Sequence, residues 1–244
     1  MSVIETIAPQ DDMYRHAPGY FSAGRSALDA IKGAVASIPT SRPRPAIERI
    51  LDLPCGYGRV LRHLRDAFPD AEIVACDILS DAPGFCAEQF GAIPVLSTED
   101  PADIPLEGEF HLIFCGSLFT HLPEWEGFLD LFDRHLAPNG LVVFTVHGRR
   151  VADFLRKGET LGLADPLALV TEYERAGFGF QRYPRQQGYG ISLSSPAWVT
   201  GKLLERPWRL VGYSEMAFAS FQDVVSCVKR PIKDIRIGTH GEEL

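Results

Sequence analysis

Residues 50–60 read ILDLPCGYGRV, and the order of elements can be followed outward from this stretch. An apolar run ends on an acid, Asp52, and the chain then turns through Gly56 and Gly58 into a segment with helical periodicity. In an open α/β sheet, ligands bind beyond the carboxyl ends of the strands. Glycine lets a ligand approach the backbone, and the N-terminus of a helix offers free N–H groups. We therefore expect a ligand site at this turn.

The same alternation of strand and helix continues along the chain. Strand-length apolar runs occur at residues 48–53, 72–77, 110–116, 141–147 and, more weakly, 93–96. Segments with one apolar helical face lie between them, at residues 59–68, 81–90 and 123–136. Pro123 suits a first helical position. Runs that are mostly apolar are typical of parallel strands covered on both faces, so the pattern predicts a doubly wound α/β sheet.

Both ends of the chain and one internal segment differ from this core. We predict four parts: a helical lid and linker over residues 1–45, a core over 46–148, an inserted cap over 149–206 and a terminal hairpin over 207–244. A helix is expected at 20–38, helical pieces in the cap, and antiparallel strands at 209–215 and 223–229. An insertion in this position is a natural substrate cap.

Composition restricts the class of protein. The 244 residues are 45% hydrophobic and 23% charged, which is typical of a globular protein. Asp and Glu total 32 against 24 Lys and Arg, and this acidic balance disfavours nucleic acid as a partner because phosphate contacts need surplus cations. The five cysteines form no C-x-x-C pair, no stretch is apolar enough to span a bilayer, and the N-terminal residues lack a basic signal region. We expect a reduced, cytoplasmic, metal-free protein without a membrane span; its oligomeric state stays open.

The residues around the turn distinguish between nucleotide ligands. The dinucleotide pattern G-x-G-x-x-G/A is absent, because Leu61 stands in the position of the third glycine. A carboxylate at Asp52 would repel a pyrophosphate but suits the ammonium group of an amino acid. The second strand ends on Asp77, 19 residues after Gly58, where a carboxylate can bond both hydroxyls of a ribose. Together these features describe S-adenosylmethionine better than NAD.

The segment resembles motif I of the class I S-adenosylmethionine-dependent methyltransferases, an acid followed by alternating glycines. Asp52, Gly56 and Gly58 match the motif, whereas Pro54 stands where the first glycine usually lies. The resemblance covers roughly residues 45–147 and 207–230, and bacterial methyltransferases encoded near glycosyltransferases are a weaker likeness. It implies a Rossmann-like fold with a seven-stranded mixed sheet, a C-terminal antiparallel hairpin, an N-terminal helical lid and an insertion before that hairpin.

The resemblance also implies a set of cofactor contacts. Asp77 matches the ribose acid, and Ile78 would flank the adenine. Asp100 is preferred over Glu99 as the acceptor for the adenine amine. Arg25 of the lid would pair with the methionine carboxylate, unless it is solvated on a helix packed at the sheet edge. The full set of expected cofactor-binding residues is Asp52, Pro54, Gly56, Gly58, Asp77, Ile78, Asp100, Arg25 and Ser117.

Two histidines, His121 and His147, follow the fourth and fifth predicted strands. A neutral imidazole there would accept a proton from a hydroxyl as a methyl group is transferred, and His147 is preferred because it opens the cap. The alternatives are that His121 caps the next helix and that His147 pairs with Arg149 or with backbone. Aromatic and polar side chains of the cap are expected to bind the acceptor, or to form the cap's own core: Tyr189, Tyr183, Trp198 and Ser192.

The predicted function is methyl transfer from S-adenosylmethionine to a small-molecule hydroxyl by in-line displacement, leaving S-adenosylhomocysteine, with a sugar or phenol favoured. Two alternatives stay open. One is a methyltransferase-like scaffold that binds the cofactor without activity. The other, less favoured, is a nicotinamide-dependent reductase, for which both G-x-G-x-x-G and a Tyr-x-x-x-Lys pair are missing from the sequence.

Overall fold

The structure is a computed structural model that describes residues 3–38, 46–186 and 188–230. Its helices and strands are α1 (Ala17–Ala36), β1 (Arg49–Asp52), α2 (Leu61–Ala67), β2 (Glu72–Asp77), α3 (Ala82–Phe90), β3 (Ile93–Leu96), a 3₁₀ turn (Pro101–Asp103), β4 (Phe110–Cys115), α4 (Glu126–His135), β5 (Leu136–Val146), α5 (Arg149–Arg156), α6 (Pro166–Ala176), β6 (Phe178–Arg182), β7 (Gly190–Ser194), α7 (Pro196–Leu204), β8 (Trp208–Phe218) and β9 (Gln222–Lys229). Most of the predicted linker, residues 39–45, and the predicted end of the terminal segment, 231–244, lie outside the described residues.

The main sheet has seven strands in the order β3-β2-β1-β4-β5-β9-β8. Strands β1 to β5 pair in parallel, whereas β9 runs antiparallel to both β5 and β8. The predicted mixed sheet with a C-terminal hairpin is therefore confirmed. Strand order reverses between β1 and β4, where Asp52 pairs with Phe114, and this reversal places a ligand crevice at their carboxyl ends.

Apolar side chains cover both faces of the sheet. Neighbouring residues of β1 point to opposite sides, so that Leu51 joins a cluster with Trp125 and Phe132 while Ile50 joins a cluster with Leu61. Each fully buried side chain of this size contributes roughly 1.5–3 kcal/mol to folding. Burial on both sides explains why the parallel strands are apolar throughout rather than alternating.

The cap differs from its prediction as a set of helical pieces. It contains α5, α6 and α7, and also an antiparallel hairpin formed by β6 and β7. Strand β7 additionally bonds the loop after β4, because the Ser192 N–H donates to the Thr120 carbonyl at 2.9 Å and the Gly190 N–H to that of His121 at 3.1 Å. These long-range backbone bonds stabilise β7, a short strand that no local sequence pattern indicated.

Several element boundaries also move. The helix predicted from Pro123 begins at Glu126, since the preceding residues form the turns that meet β7. Strand β5 begins at Leu136, directly after α4 and ahead of the apolar run predicted from residue 141; Asn139 there has a φ of 63°. Helix α1 begins at Ala17 with the His16 ring accepting the Gly19 N–H. Such shifts leave the order of the core elements unchanged.

Candidate active site

Asp52 ends β1 with a buried carboxylate. Only 1% of its surface is exposed, and neither carboxylate oxygen has a hydrogen-bond partner among the described residues. Burial, and then the charge of Asp77, raises the pKa of Asp52 well above its usual value, whereas Arg59 lowers it. An unpaired buried carboxylate is costly, so a cation is the natural group to complete this site.

Asp77, at the end of β2, holds the glycine loop. Its two oxygens accept the Gly56 N–H at 2.7 Å and the Leu79 N–H at 2.9 Å. Burial raises the pKa of Asp77, and these backbone donors oppose the shift. A carboxylate has about four acceptor positions, so acceptor capacity remains for a ligand that donates hydroxyl protons. The second acid thus anchors the loop.

The two loop glycines have different reasons to lack a side chain. Both have positive φ, 49° at Gly56 and 77° at Gly58. A Cβ on Gly58 would lie 2.4 Å from the ring of Phe90, whereas a Cβ on Gly56 would meet nothing within 4 Å. Gly58 is therefore required by packing, and the open space beside Gly56 lets a ligand reach the backbone. Pro54 lies in the same loop, after a cis peptide bond.

The predicted adenine contacts lie at the rim of the crevice. Ile78 follows Asp77 and is 56% exposed, which leaves an apolar surface for a flat ring. Asp100 is exposed and caps the 3₁₀ turn, with one oxygen accepting the Ala102 N–H at 2.9 Å. Its second oxygen faces no competing donor among the described hydrogen bonds. Both positions suit their predicted roles.

Arg59, which sequence reasoning missed, interacts more directly with the acids than Arg25 does. Arg25 is exposed on α1, and its charge acts on His63. Burial lowers the pKa of Arg59, whereas Tyr20, Asp11 and then Asp52 raise it. Its guanidinium lies 5.4 Å from the ring centroid of Phe218 and forms no hydrogen bond or ion pair within the described ranges. The signal available in the sequence was a basic residue immediately after the second glycine.

The two predicted histidines lie side by side but differ in their hydrogen bonds and in their burial. Their ring centroids lie 5.9 Å apart. His121 Nδ1 lies 2.7 Å from the carbonyl oxygen of Gly190, which assigns the proton to Nδ1 and leaves Nε2 as an acceptor. His147 is fully buried, and burial together with His121 lowers its pKa to about 3. Its Nδ1 has no partner in the described part of the chain.

Tyr183 and Tyr189 of the cap lie against His121. The Tyr189 ring stacks on it at 4.8 Å and 19°, and Tyr183 lies 6.3 Å from it. Burial raises the pKa of Tyr189 to about 12, with smaller contributions from Tyr183, Asp77 and Asp12. Tyr189 is nevertheless 40% exposed, so this aromatic group reaches the surface, within electrostatic reach of Asp77.

Ser192 and Trp198 form packing contacts, the alternative that the sequence left open beside their predicted acceptor contacts. The buried Ser192 hydroxyl donates to the Leu122 carbonyl. The Trp198 ring stacks on Phe178 at 4.3 Å and meets Trp125 edge-on at 4.8 Å. No ring contact joins Trp198 to the histidines in the described structure. The aromatic spacing of the cap did not distinguish its core from its crevice.

Ser117, after β4, is held by a ring of side chains. It has a φ of 62°, and its N–H donates to Thr145 Oγ1 at 2.7 Å. Thr145 Oγ1 in turn donates to Gln222 Oε1 at 2.6 Å, and Gln222 Nε2 donates to Ser117 Oγ at 3.0 Å. Gln222 begins β9 and lies 105 residues from Ser117, so no local pattern could have identified it.

Comparison with known proteins finds a family model that matches part of this geometry. Residues 51–142 match a family model described as a methyltransferase domain, and this stretch contains both acids and both loop glycines. That part of the chain is therefore similar to methyltransferase domains. The match ends within β5, so the cap and the terminal hairpin lie outside it.

Two bacterial methyltransferases are similar to part of this chain. Malonyl-[acyl-carrier protein] O-methyltransferase 2 of Ilyobacter polytropus is 29% identical over 119 residues, 48% of this chain and 45% of the relative. Trans-aconitate 2-methyltransferase of Methylobacterium nodulans is 32% identical over 100 residues, 40% of this chain and 38% of the relative. The similarity spans less than half the length of either relative.

The fold likeness extends over more of the chain. An S-adenosylmethionine-dependent methyltransferase from Clostridium acetobutylicum superposes with a TM-score of 0.57 at 11% identity, covering 90% of this chain and 94% of that one.

Within the described residues, no group of His, Cys, Asp and Glu is arranged to hold a metal ion. Among the same residues, no helix is long and apolar enough to cross a membrane.

Proposed function

We propose that this chain transfers a methyl group from S-adenosylmethionine to a hydroxyl of a small molecule, leaving S-adenosylhomocysteine. The observation that carries the proposal is the buried carboxylate of Asp52, which has no partner among the described residues and lies beside a glycine loop tied to Asp77. An ammonium and a vicinal diol are the groups these two acids require. The proposed ligand chemistry follows from these two carboxylates.

The chain's own residues divide the cofactor between them. Asp52 would accept the ammonium group, Asp77 the ribose hydroxyls and Asp100 the adenine amine, with Ile78 against the ring. Arg59 would take the methionine carboxylate, a role that the sequence alone assigned to Arg25. The remaining predicted contacts, Pro54, Gly56, Gly58 and Ser117, would contribute backbone groups. When bound, S-adenosylmethionine supplies a methyl group activated by its sulfonium.

The acceptor would lie beside the cluster of Tyr189, Tyr183 and His121, whose rings contact one another. His121 Nε2 would accept the hydroxyl proton, because the Gly190 carbonyl holds the other ring proton on Nδ1. His147 is the weaker base, since its pKa of about 3 lies far below neutral pH and it is fully buried. The remaining task of the site is to hold hydroxyl and methyl aligned at short distance.

An uncharged, aromatic crevice favours a neutral hydroxyl, as in a sugar or a phenol, over a carboxylate. The two relatives are named for malonyl-[acyl-carrier protein] and trans-aconitate, so acids are the competing acceptor class. A cap over residues 149–206, a small-molecule partner rather than nucleic acid, and a cytoplasmic location stay predictions of the sequence.

Titration calorimetry tests the cofactor assignment. We expect micromolar binding of S-adenosylhomocysteine, no binding of NADH or NADPH, and an affinity at least about tenfold weaker in Asp77→Ala. Asp81→Ala is the matched control, because Asp81 is an exposed acid that accepts the Tyr57 hydroxyl beside the same loop. Unchanged binding by Asp77→Ala, or binding of a nicotinamide nucleotide, would contradict the proposal.

A screen of acceptors with labelled S-adenosylmethionine then tests the reaction. Turnover of sugars or phenols supports the hydroxyl acceptor, and turnover of dicarboxylic acids alone would overturn it. Binding of S-adenosylhomocysteine without turnover of any acceptor would favour the inactive scaffold.

A further inference from the structure

Arg62, in α2, is a buried cation held by backbone carbonyls. It is 1% exposed, and its guanidinium forms no ion pair with a carboxylate in the described part of the chain. Burial lowers its pKa. A buried charge without a counterion is expensive unless its protons are all satisfied by hydrogen bonds, so the identity of those acceptors is informative.

The acceptors of Arg62 belong to two separate parts of the chain. Toward the glycine loop, Nε donates to the Gly58 carbonyl at 2.9 Å and Nη2 to the Tyr57 carbonyl at 3.2 Å. Toward the N-terminal segment, Nη1 donates to the carbonyls of Ile4 at 2.8 Å and Thr6 at 3.0 Å. One planar fork therefore joins residues 4–6 to the loop that would hold the cofactor.

The segment attached in this way runs beside the candidate site. Tyr20, whose oxygen lies 3.5 Å from Arg62 Nη2, donates its hydroxyl proton to Asp11 at 2.6 Å. Asp11 acts electrostatically on Arg59, and the neighbouring Asp12 acts on Tyr189 at the tip of the cap hairpin. Residues 3–15 are thus attached to the glycine loop through Arg62, and their acids act electrostatically on two residues of the candidate site.

We propose that Arg62 is a positioning residue that fastens residues 3–15 to the glycine loop and so slows departure of the cofactor product. The inference rests on the proposed function. Because the same guanidinium holds loop and segment, release of the segment and loosening of the loop are one event. Lysine keeps the charge but not the fork, so it cannot bond all these carbonyls at once.

The chain offers a matched control one turn away on the same helix. Arg65 also donates to four carbonyls, those of Phe90, Pro69, Ala71 and Gly91, but none belongs to the N-terminal segment. Replacing either arginine with lysine removes bonds of the same kind. Only the Arg62 change removes those that reach residues 4–6.

The test combines stopped-flow dissociation of S-adenosylhomocysteine with hydrogen exchange of the amides in residues 3–15. We expect Arg62→Lys to raise the dissociation rate roughly tenfold and to speed exchange across the segment, while Arg65→Lys leaves both unchanged. Tyr20→Phe, which removes the hydroxyl between Asp11 and Arg62, should also raise both the dissociation rate of S-adenosylhomocysteine and the exchange rate of the segment's amides. It provides a second route to the result if Arg62→Lys folds poorly.

Equal behaviour of the two lysine variants would overturn the inference, as would faster dissociation in Arg62→Lys without faster exchange. Failure of the wild-type protein to bind S-adenosylhomocysteine would contradict the proposed function instead. Exchange in the unliganded protein would then still decide whether Arg62 holds the segment.

Discussion

The half of the molecule that would bind the cofactor and the half that would bind the acceptor are assembled differently. In the first, Asp52, Gly56 and Gly58 lie within one short strand and its loop, and Asp77 ends the neighbouring strand. In the second, His121 is oriented by Gly190, 69 residues later in the chain. Local sequence order specifies the cofactor half, whereas tertiary pairing creates the acceptor half.

The two halves also use burial in opposite ways. In the cofactor half, burial raises the pKa of both acids, so each carboxylate gains from a ligand that donates protons or carries positive charge. In the acceptor half, burial lowers the pKa of both histidines, which keeps them neutral at physiological pH. Desolvation therefore favours a bound cation beside the carboxylates of the cofactor half, and it keeps the imidazoles of the acceptor half unprotonated, so that they can accept a proton.

The largest effect is expected from His121→Ala, which removes the proposed base from the acceptor half. Turnover should fall roughly 10²–10⁴-fold with little change in the affinity for S-adenosylhomocysteine. In the wild type, protonation of His121 removes the base, so turnover should be constant at neutral pH and decline only below the usual histidine pKa of about 6.5. Steady-state rates across pH, with calorimetry of each variant, measure both quantities.

His147→Ala is the control for that experiment. It should lower thermal stability, because a buried ring is lost, and leave the shape of the pH profile unchanged. A larger loss of turnover in His147→Ala than in His121→Ala would restore the order of the two residues that the sequence favoured.

The next effect concerns Asp52→Asn in the cofactor half. Affinity for S-adenosylhomocysteine should fall at least about 100-fold, since removing one member of a buried ion pair costs about 3–5 kcal/mol. The unliganded protein should become more stable at neutral pH, because an uncompensated buried charge is gone. Calorimetry and chemical denaturation give the two numbers, and a variant that is both weaker in binding and less stable would contradict the account of Asp52.

The pH dependence of stability follows with a definite sign. The folded-state pKa of Asp52 lies above its unfolded value, so its contribution is favourable at low pH and is lost as pH rises through the folded pKa. The contribution of Asp52 to the free energy of unfolding should therefore decrease from about pH 4 upward. Asp77 and Asp223, whose pKa values are also raised, act in the same direction, whereas His121 and His147, whose pKa values are lowered, act in the opposite direction. The difference in unfolding free energy between the wild type and Asp52→Asn isolates the Asp52 contribution, and a difference independent of pH would contradict it.

A moderate effect is expected at Tyr189, where the two halves meet. Tyr189→Ala should raise KM for the acceptor about tenfold through loss of the stacked ring, and Tyr189→Phe should stay close to wild type. Binding of S-adenosylhomocysteine should change little in either variant. Equal losses in both variants would assign the role to the hydroxyl group and would contradict a stacking surface.

The smallest effect is expected from Gln222→Leu, which opens the hydrogen-bonded ring around Ser117. Removing the amide leaves the Thr145 and Ser117 hydroxyls without their Gln222 partner, so cofactor affinity should weaken roughly fivefold, as for one lost buried hydrogen bond. Gln222→Glu, which keeps an acceptor for Thr145, should recover part of the loss. Calorimetry that finds both variants unchanged would mean that the ring does not position Ser117 for the cofactor.

The sequence by itself determined the sheet and the cofactor loop. Buried parallel strands are apolar on both faces, and a turn with two left-handed glycines after a strand-end acid has a recognisable local pattern at Asp52, Gly56 and Gly58. The position of Asp77 was predictable for the same reason, because the end of the next strand is a fixed position in a strand–helix–strand unit. These features depend on neighbours in the chain.

Tertiary structure alone decided the acceptor side and the fastening of the N-terminal segment. Strand β7 pairs with β6 and also bonds the loop after β4, and the second pairing places Gly190 against His121. Trp198, which is partly buried, packs against Trp125 of the core. Arg62 and Gln222 form hydrogen bonds with residues far away in the sequence, and no periodicity of the sequence indicates these contacts. Burial, which sets every pKa shift at this site, is likewise a property of the packed molecule and not of any one segment.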